Sequence, residues 1–267
     1  MFLSKLQLKP TLSEKTQLSH LLSRDNYGMH QLLYDIFTDG KYLFREENSN
    51  DQLGFYVLSE QEPKTDSPLF QVKSRPFQPR IQSGDRFMFD LRANPTVKRR
   101  LQGRSSSTRH DVVIDAKLHY LLKVCLEHGL LSDSEIYDRT DEGHRVIRNN
   151  LNYRQLQQKL FALPAYRDSY SREVFTQQQD DITDQAIIDW MDRKAESVGI
   201  KLETVQATGY QWHSLNNAKN GRNAGFSSVD YHGIVQVSNP NVFREHLAKG
   251  IGPAKRFGCG LMLICKC

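Results

Sequence analysis

Cysteine is scarce in this 267-residue chain: only Cys125, Cys259, Cys265 and Cys267 are present. Their spacing contains no C-x-x-C pair and no paired histidine clamp, so the common structural zinc modules are excluded and the four read as reduced thiols. Long apolar runs are missing too, and no stretch approaches the roughly 18 residues a membrane-spanning helix requires. The opening MFLSKLQLKP alternates apolar and polar residues like a strand and lacks the apolar core of a secretory leader. A cytoplasmic protein without membrane contact is therefore expected. A third absence concerns GIGPAKRFGCG, residues 250–260. No Lys-Ser or Lys-Thr closes a Walker spacing there, and the order of elements is reversed relative to known phosphate loops, which place a strand before and a helix after. Upstream, NPNVFREHLAKG predicts a helix with Val242, Phe243 and Leu247 on one face and a glycine cap. Downstream, LMLICKC reads as a terminal strand.

Positive charge is present, and it is concentrated. Lys and Arg total 36 against 31 Asp and Glu, a net of +5. Residues 73–110 alone hold Lys73, Arg75, Arg80, Arg86, Arg92, Lys98, Arg99, Arg100, Arg104 and Arg109 against Asp85 and Asp90, so the rest of the chain is slightly acidic. Such asymmetry points to a polyanionic partner, with a solvated basic loop as the alternative.

Length predicts about two domains. Phe2, Leu3, Leu6 and Leu8 predict a first strand, SEKTQLSHLLSRDNYGMHQLLYDIF a helical region, and KYLFREE and LGFYVLSE two strands about a polar turn. DRFMFDLRAN reads as a further strand of the same domain, with a short or missing second helix around EPKTDSPLF. This order fits a ferredoxin-like domain over residues 1–95. In residues 96–267 a basic linker and a helical insertion at about 118–180 precede DQAIIDWMDRKAESVG, an amphipathic helix with Ala186, Ile187, Trp190, Met191 and Ala195 on one face. IKLETVQATGYQW and SSVDYHGIVQVS follow as partner strands about the tip NNAKNGRNAG. With the final helix and strand these form α-β-β-α-β, or a second ferredoxin-like unit whose first strand lies upstream. The fold class expected is α+β, two tandem ferredoxin-like (RRM-like) domains with antiparallel sheets.

GIGPAKRFGCGLMLI resembles the C-terminal glycine-rich loop of the RAMP proteins. Together with MFLSKLQL, SRDNYGMHQLLYDIF, LRANPTVK and RHDVVIDAK, in the same order, it resembles the CasE family of CRISPR-associated endoribonucleases. The resemblance implies a metal-independent ribonuclease without cofactor that cuts CRISPR repeat RNA beside its hairpin and remains bound as a subunit of type I-E Cascade. It also implies His30 as the catalytic histidine and Tyr27 as its companion. Three positions apart, these two share a helix face, and Tyr34 extends the stripe. Histidine suits proton transfer because its ordinary pKa of about 6.5 leaves both forms available near neutrality. The alternative for His30 is packing beneath the sheet beside Leu33 and Phe37, and His20, His213 and His232 are rival histidines.

For RNA contact the expected residues are Arg92, Lys98, Arg99, Arg100, Arg104 and Arg109 as a stripe along a stem. Lys219 and Arg222 sit at the hairpin tip. In the glycine loop they are Gly250, Gly252, Lys255, Arg256, Gly258 and Gly260, where small residues allow close approach. A non-catalytic RNA-hairpin-binding subunit is the competing functional class.

Overall fold

A computed structural model of the chain describes residues 1–9, 33–34, 36–37, 41–49, 52–100, 107–139, 145–148, 151–215 and 224–267. They fall into two compact units, one made of residues 1–95 with 192–267, the other of residues 96–191.

In the first unit, β1 (Phe2–Leu8), β2 (Tyr42–Ser49), β3 (Gln52–Ser59) and β4 (Phe70–Pro76) form an antiparallel sheet in the order β2-β3-β1-β4. This is the ferredoxin-like order. The two-residue period of β1 sends Ser4, Leu6 and Leu8 to a buried face and leaves Leu3, Lys5 and Gln7 on the other. Leu6, Leu8, Phe55, Val57 and Phe70 pack there with Leu33, Ile36 and Phe37, and each large side chain so buried contributes about 1.5–3 kcal/mol. Phe37 N–H donates to the Leu33 carbonyl at 3.0 Å, a helical turn; the remainder of the predicted first helical region lies outside the described residues. Between β3 and β4 residues 60–69 form no helix, so of the short or missing second helix expected there it is the missing one that holds, with Pro63 and Pro68 disfavouring a helix. Instead Ser67 Oγ accepts from the N–H groups of Leu69 and Phe70 and turns the chain into β4.

One expectation is corrected here. The strand DRFMFDLRAN, β5 (Arg86–Ala93), is not the fourth strand of this sheet. That place belongs to β4, FQVKSRP, a polar edge strand with only one face to bury, so its apolar pattern is weak.

The second unit opens with a hairpin of β6 (Thr96–Arg100) and β7 (Ser107–Asp111). The Asp111 side chain then accepts from Ile114 N–H at 2.8 Å and caps α1 (Val112–Glu127). There follow α2 (Asp133–Ile136), a two-stranded ribbon of β8 (Tyr137–Arg139) and β9 (Arg145–Ile147), α3 (Tyr153–Phe161), and the long α4 (Ser169–Ser197), which continues beyond this unit. Tyr120, Leu121, Cys125, Ile136, Leu156, Leu160 and Phe175 form its core. The stretch at about 118–180 thus has a hydrophobic centre of its own.

Beyond α4, Gly199 adopts φ +82°, and a Cβ on it would stand 2.7 Å from the Asn239 carbonyl oxygen. The predicted apolar face of α4 is realised, with Ile187, Trp190, Met191 and Ala195 buried and Ala186 partly so. Strands β10 (Ile200–Leu215) and β11 (Ala224–Val237), helix α5 (Pro240–Lys249) and β12 (Met262–Lys266) complete the chain. The second sheet runs β10-β11-β5-β12, antiparallel throughout. It repeats the order of the first, with β5 as its opening strand and the 96–191 unit inserted in the chain after that strand. The upstream first strand left open by the sequence is therefore β5. Among the described residues no helix is long and apolar enough to cross a membrane.

Candidate nucleic-acid interface and the glycine loop

Thr96 and Val97 suit a strand, and pairing of β6 with β7 sets Lys98 directly opposite Arg109. Both are exposed, and neither has an ion-pair partner among the described residues. Like charges facing across a ladder repel, so this pair is poised for an anion. Arg99, on the opposite face, is held bidentately by Asp115 at 3.0 and 2.6 Å, and that hydrogen bonding raises its pKa. Arg100 continues the strand, while its side chain, like Arg104, Lys219 and Arg222, lies outside the described residues.

Arg92 belongs to a different arrangement. Its guanidinium donates two 2.8 Å hydrogen bonds to Asp230 on the neighbouring strand, which raises its pKa further. Two register positions along, on the same face, His232 Nδ1 stands 2.9 Å from Asp90 Oδ1. From the first sheet Arg45, with only 6% of its side chain exposed, brings Nη1 to 2.7 Å from Asp90 Oδ1 and Nη2 to 3.9 Å from Asp230 Oδ1. The alignment of the shorter contact is poor for a hydrogen bond, so the attraction is chiefly coulombic. Arg45, Asp90 and Asp230 escaped the sequence reading because the signal lies in register. Nothing in their spacing marks them.

The glycine loop joins α5 to β12, confirming the helix-before, strand-after order. Gly250, Gly252, Gly258 and Gly260 all have φ between +78° and +94°, a region costly for other residues. Three of them also permit close packing. A Cβ on Gly250 would meet Leu43 at 2.8 Å, one on Gly258 would meet Phe44 at 3.3 Å, and one on Gly260 would meet the Ile251 carbonyl oxygen at 2.9 Å. Gly260 N–H donates to the Arg92 carbonyl at 2.7 Å and ties the loop to β5. Phe257 stacks on Phe226 at 4.8 Å, and Phe226 on His213 at 4.6 Å. Of the two loop cations, Lys255 turns its ammonium to the Lys249 carbonyl, burial lowering its pKa, while Arg256 is exposed. Burial also pushes the Cys259 thiol up to about 12.

Tyr27 and His30, with His20, lie outside the described residues. His213 Nε2 is 2.8 Å from Ser228 Oγ, and burial followed by the charge of Arg92 holds its pKa down. Tyr34 is 52% exposed beside buried Leu33, Ile36 and Phe37. Among the described residues, no group of three His, Cys, Asp or Glu side chains is arranged to hold a metal ion.

Comparison with solved structures matches this architecture over nearly the whole chain. The CRISPR endoribonuclease Cse3 bound to a 19-nucleotide RNA is 20% identical, covers 99% of this chain and 100% of its own, and superposes with a TM-score of 0.59. Thermus thermophilus Cse3 bound to an RNA representing a pre-cleavage complex is 19% identical over 99% and 98%, TM-score 0.57. Cas6e of Escherichia coli K-12 is 19% identical over 99% and 98%, TM-score 0.55. No curated protein sequence matches the chain. The family model described as "CRISPR associated protein" spans residues 1–266, and with the tandem ferredoxin-like sheets and glycine loop in the expected order, the chain belongs to this family of CRISPR-associated proteins.

Proposed function

We propose that this chain is a metal-independent endoribonuclease that cleaves CRISPR precursor RNA within the repeat, beside its hairpin, and stays bound to the product as a subunit of Cascade in the cytoplasm. The observation that carries this reading is the family match across residues 1–266. The exposed Lys98–Arg109 pair supports it, because A-form stems are held largely through their phosphates. Arg99, Arg100, Arg104, Lys219, Arg222, Arg256 and the glycine loop complete the proposed RNA-contacting set. Arg92 and Lys255 contribute by holding the loop and β11 in place.

His30 acts as proton carrier and Tyr27 orients it or the reacting groups. A base removes the proton of the ribose 2′-OH, and the oxyanion attacks the adjacent phosphorus. The bond to the departing 5′ oxygen breaks as an acid protonates that oxygen. The products carry a 2′,3′-cyclic phosphate and a 5′-hydroxyl, and such acid–base assistance typically contributes about 10²- to 10⁴-fold in rate. Two substitutions test it: His30→Ala is expected to reduce single-turnover cleavage by about 10²-fold or more while hairpin binding persists. A 2′-deoxy nucleotide at the scissile position abolishes cleavage. Normal cleavage by His30→Ala would remove the histidine from the mechanism, and binding with no cleavage by the wild type would favour the hairpin-holding subunit instead.

A further inference from the structure

The first sheet carries a second cationic surface, unrelated to the residues assigned to the hairpin. Register places Tyr56, Lys5 and Lys73 in one row across β3, β1 and β4, on the face opposite the Leu6, Phe55 and Phe70 core; on this face Leu43, Leu58 and Leu261 form a smaller buried cluster, against which Tyr56 and Leu3 pack by one side. Arg75, two residues along β4, points the same way beside Leu3. Lys73 and Arg75 are exposed and Lys5 and Tyr56 partly buried, and together they line a shallow groove. The Lys5 ammonium stands 5.6 Å from the centroid of the Tyr56 ring. None of the three cations has a carboxylate partner among the described residues.

Setting Lys5 directly opposite Lys73 destabilises the ladder unless an anion lies between them. An aromatic ring in line with those cations adds a π-face, on which an unpaired base stacks once the Lys5 ammonium moves from the ring to a phosphate. A duplex hides its base faces, and an acidic peptide would satisfy the charges while leaving the ring unused. We infer that this sheet face is a binding site for single-stranded RNA, the stretch of transcript flanking the hairpin. The identity of the RNA rests on the proposed function; the chemistry of the face does not.

The test compares three RNAs: the repeat hairpin alone, the hairpin with a single-stranded extension of about ten nucleotides, a length within the range one such platform covers, and an unstructured RNA of that length. The extension is expected to tighten wild-type binding by about tenfold or more. Tyr56→Ala, and the combined Lys5→Ala/Lys73→Ala/Arg75→Ala variant, lose that increment but bind and cut the bare hairpin as wild type does. Tyr56→Phe retains it, which separates loss of stacking from loss of fold. The triple variant also flattens the salt dependence of unstructured-RNA binding by about two logarithmic units per decade. If the hairpin is ignored while Tyr56-dependent binding of unstructured RNA remains, the cleavage proposal fails and this site stands. The inference is overturned if the extension adds nothing, if the variants lose hairpin and extension alike, or if a polyglutamate peptide of matched charge binds this face more tightly than RNA.

Discussion

Arg45 is a nearly buried guanidinium that survives because Asp90 and Asp230 face it from the other sheet. Removing one partner of a buried charge commonly costs about 3–5 kcal/mol, since the other is left uncompensated. Arg92 shows why residues in a charge-rich run are hard to sort by sequence. It sits in the basic stretch 73–110, yet its carboxylate is Asp230, 138 positions away. Similar reasoning applies to His213, whose burial, and after it the charge of Arg92, lower its folded pKa below the ordinary value. The unfolded chain therefore takes up the proton first as pH falls below about 6.5, and stability declines through the window between that value and the folded pKa. Thermal melts between pH 8 and pH 5 should show a larger acid-side loss for wild type than for His213→Gln. Parallel pH profiles would mean that this histidine's burial does not matter.

Among elements, the glycine loop was legible as a marker and as a helix-to-strand connection. Its packing was not, because Leu43 and Phe44 lie some 200 positions earlier in the chain. Gly260→Ala combines a φ of +94° with a backbone clash at 2.9 Å, and should lower unfolding free energy by about 3 kcal/mol. Gly84→Ala has a similar φ of +86° but open space, so about 1 kcal/mol is expected. Urea titrations of the two variants measure the difference, and equal losses would refute the packing explanation. The β6–β7 hairpin makes the opposite kind of prediction. Lys98→Ala/Arg109→Ala should leave stability unchanged or slightly raised, because a repulsive pair is removed. The dependence of log K on log salt for hairpin RNA should become less steep by about two units. An unchanged slope would take this pair out of the interface. The missed strand β4 belongs at this scale too: its outward Lys73 and Arg75 dilute the apolar alternation, although Phe70 and Val72 point inward as an edge strand requires.

For the whole molecule, the α+β class, the two repeats of the ferredoxin-like order and the apolar face of α4 followed from local alternation and helical spacing. Sheet membership did not. The aromatic alternation in β5 shows that it is a strand, but which sheet it joins depends on pairing with β11 and β12, roughly 140 and 170 residues on. Insertion of the 96–191 unit directly after β5 disguises it as the end of the first domain. Tyr27 and His30, named through family resemblance, carry the chemical claim for the entire chain, and solution chemistry decides it. Incubating the protein with end-labelled repeat RNA, in the presence and absence of EDTA, tests the account most directly. It predicts one cut beside the hairpin, unaffected by chelator, leaving a 2′,3′-cyclic phosphate and a 5′-hydroxyl. Loss of cutting with EDTA, or a 5′-phosphate on the downstream product, would contradict it.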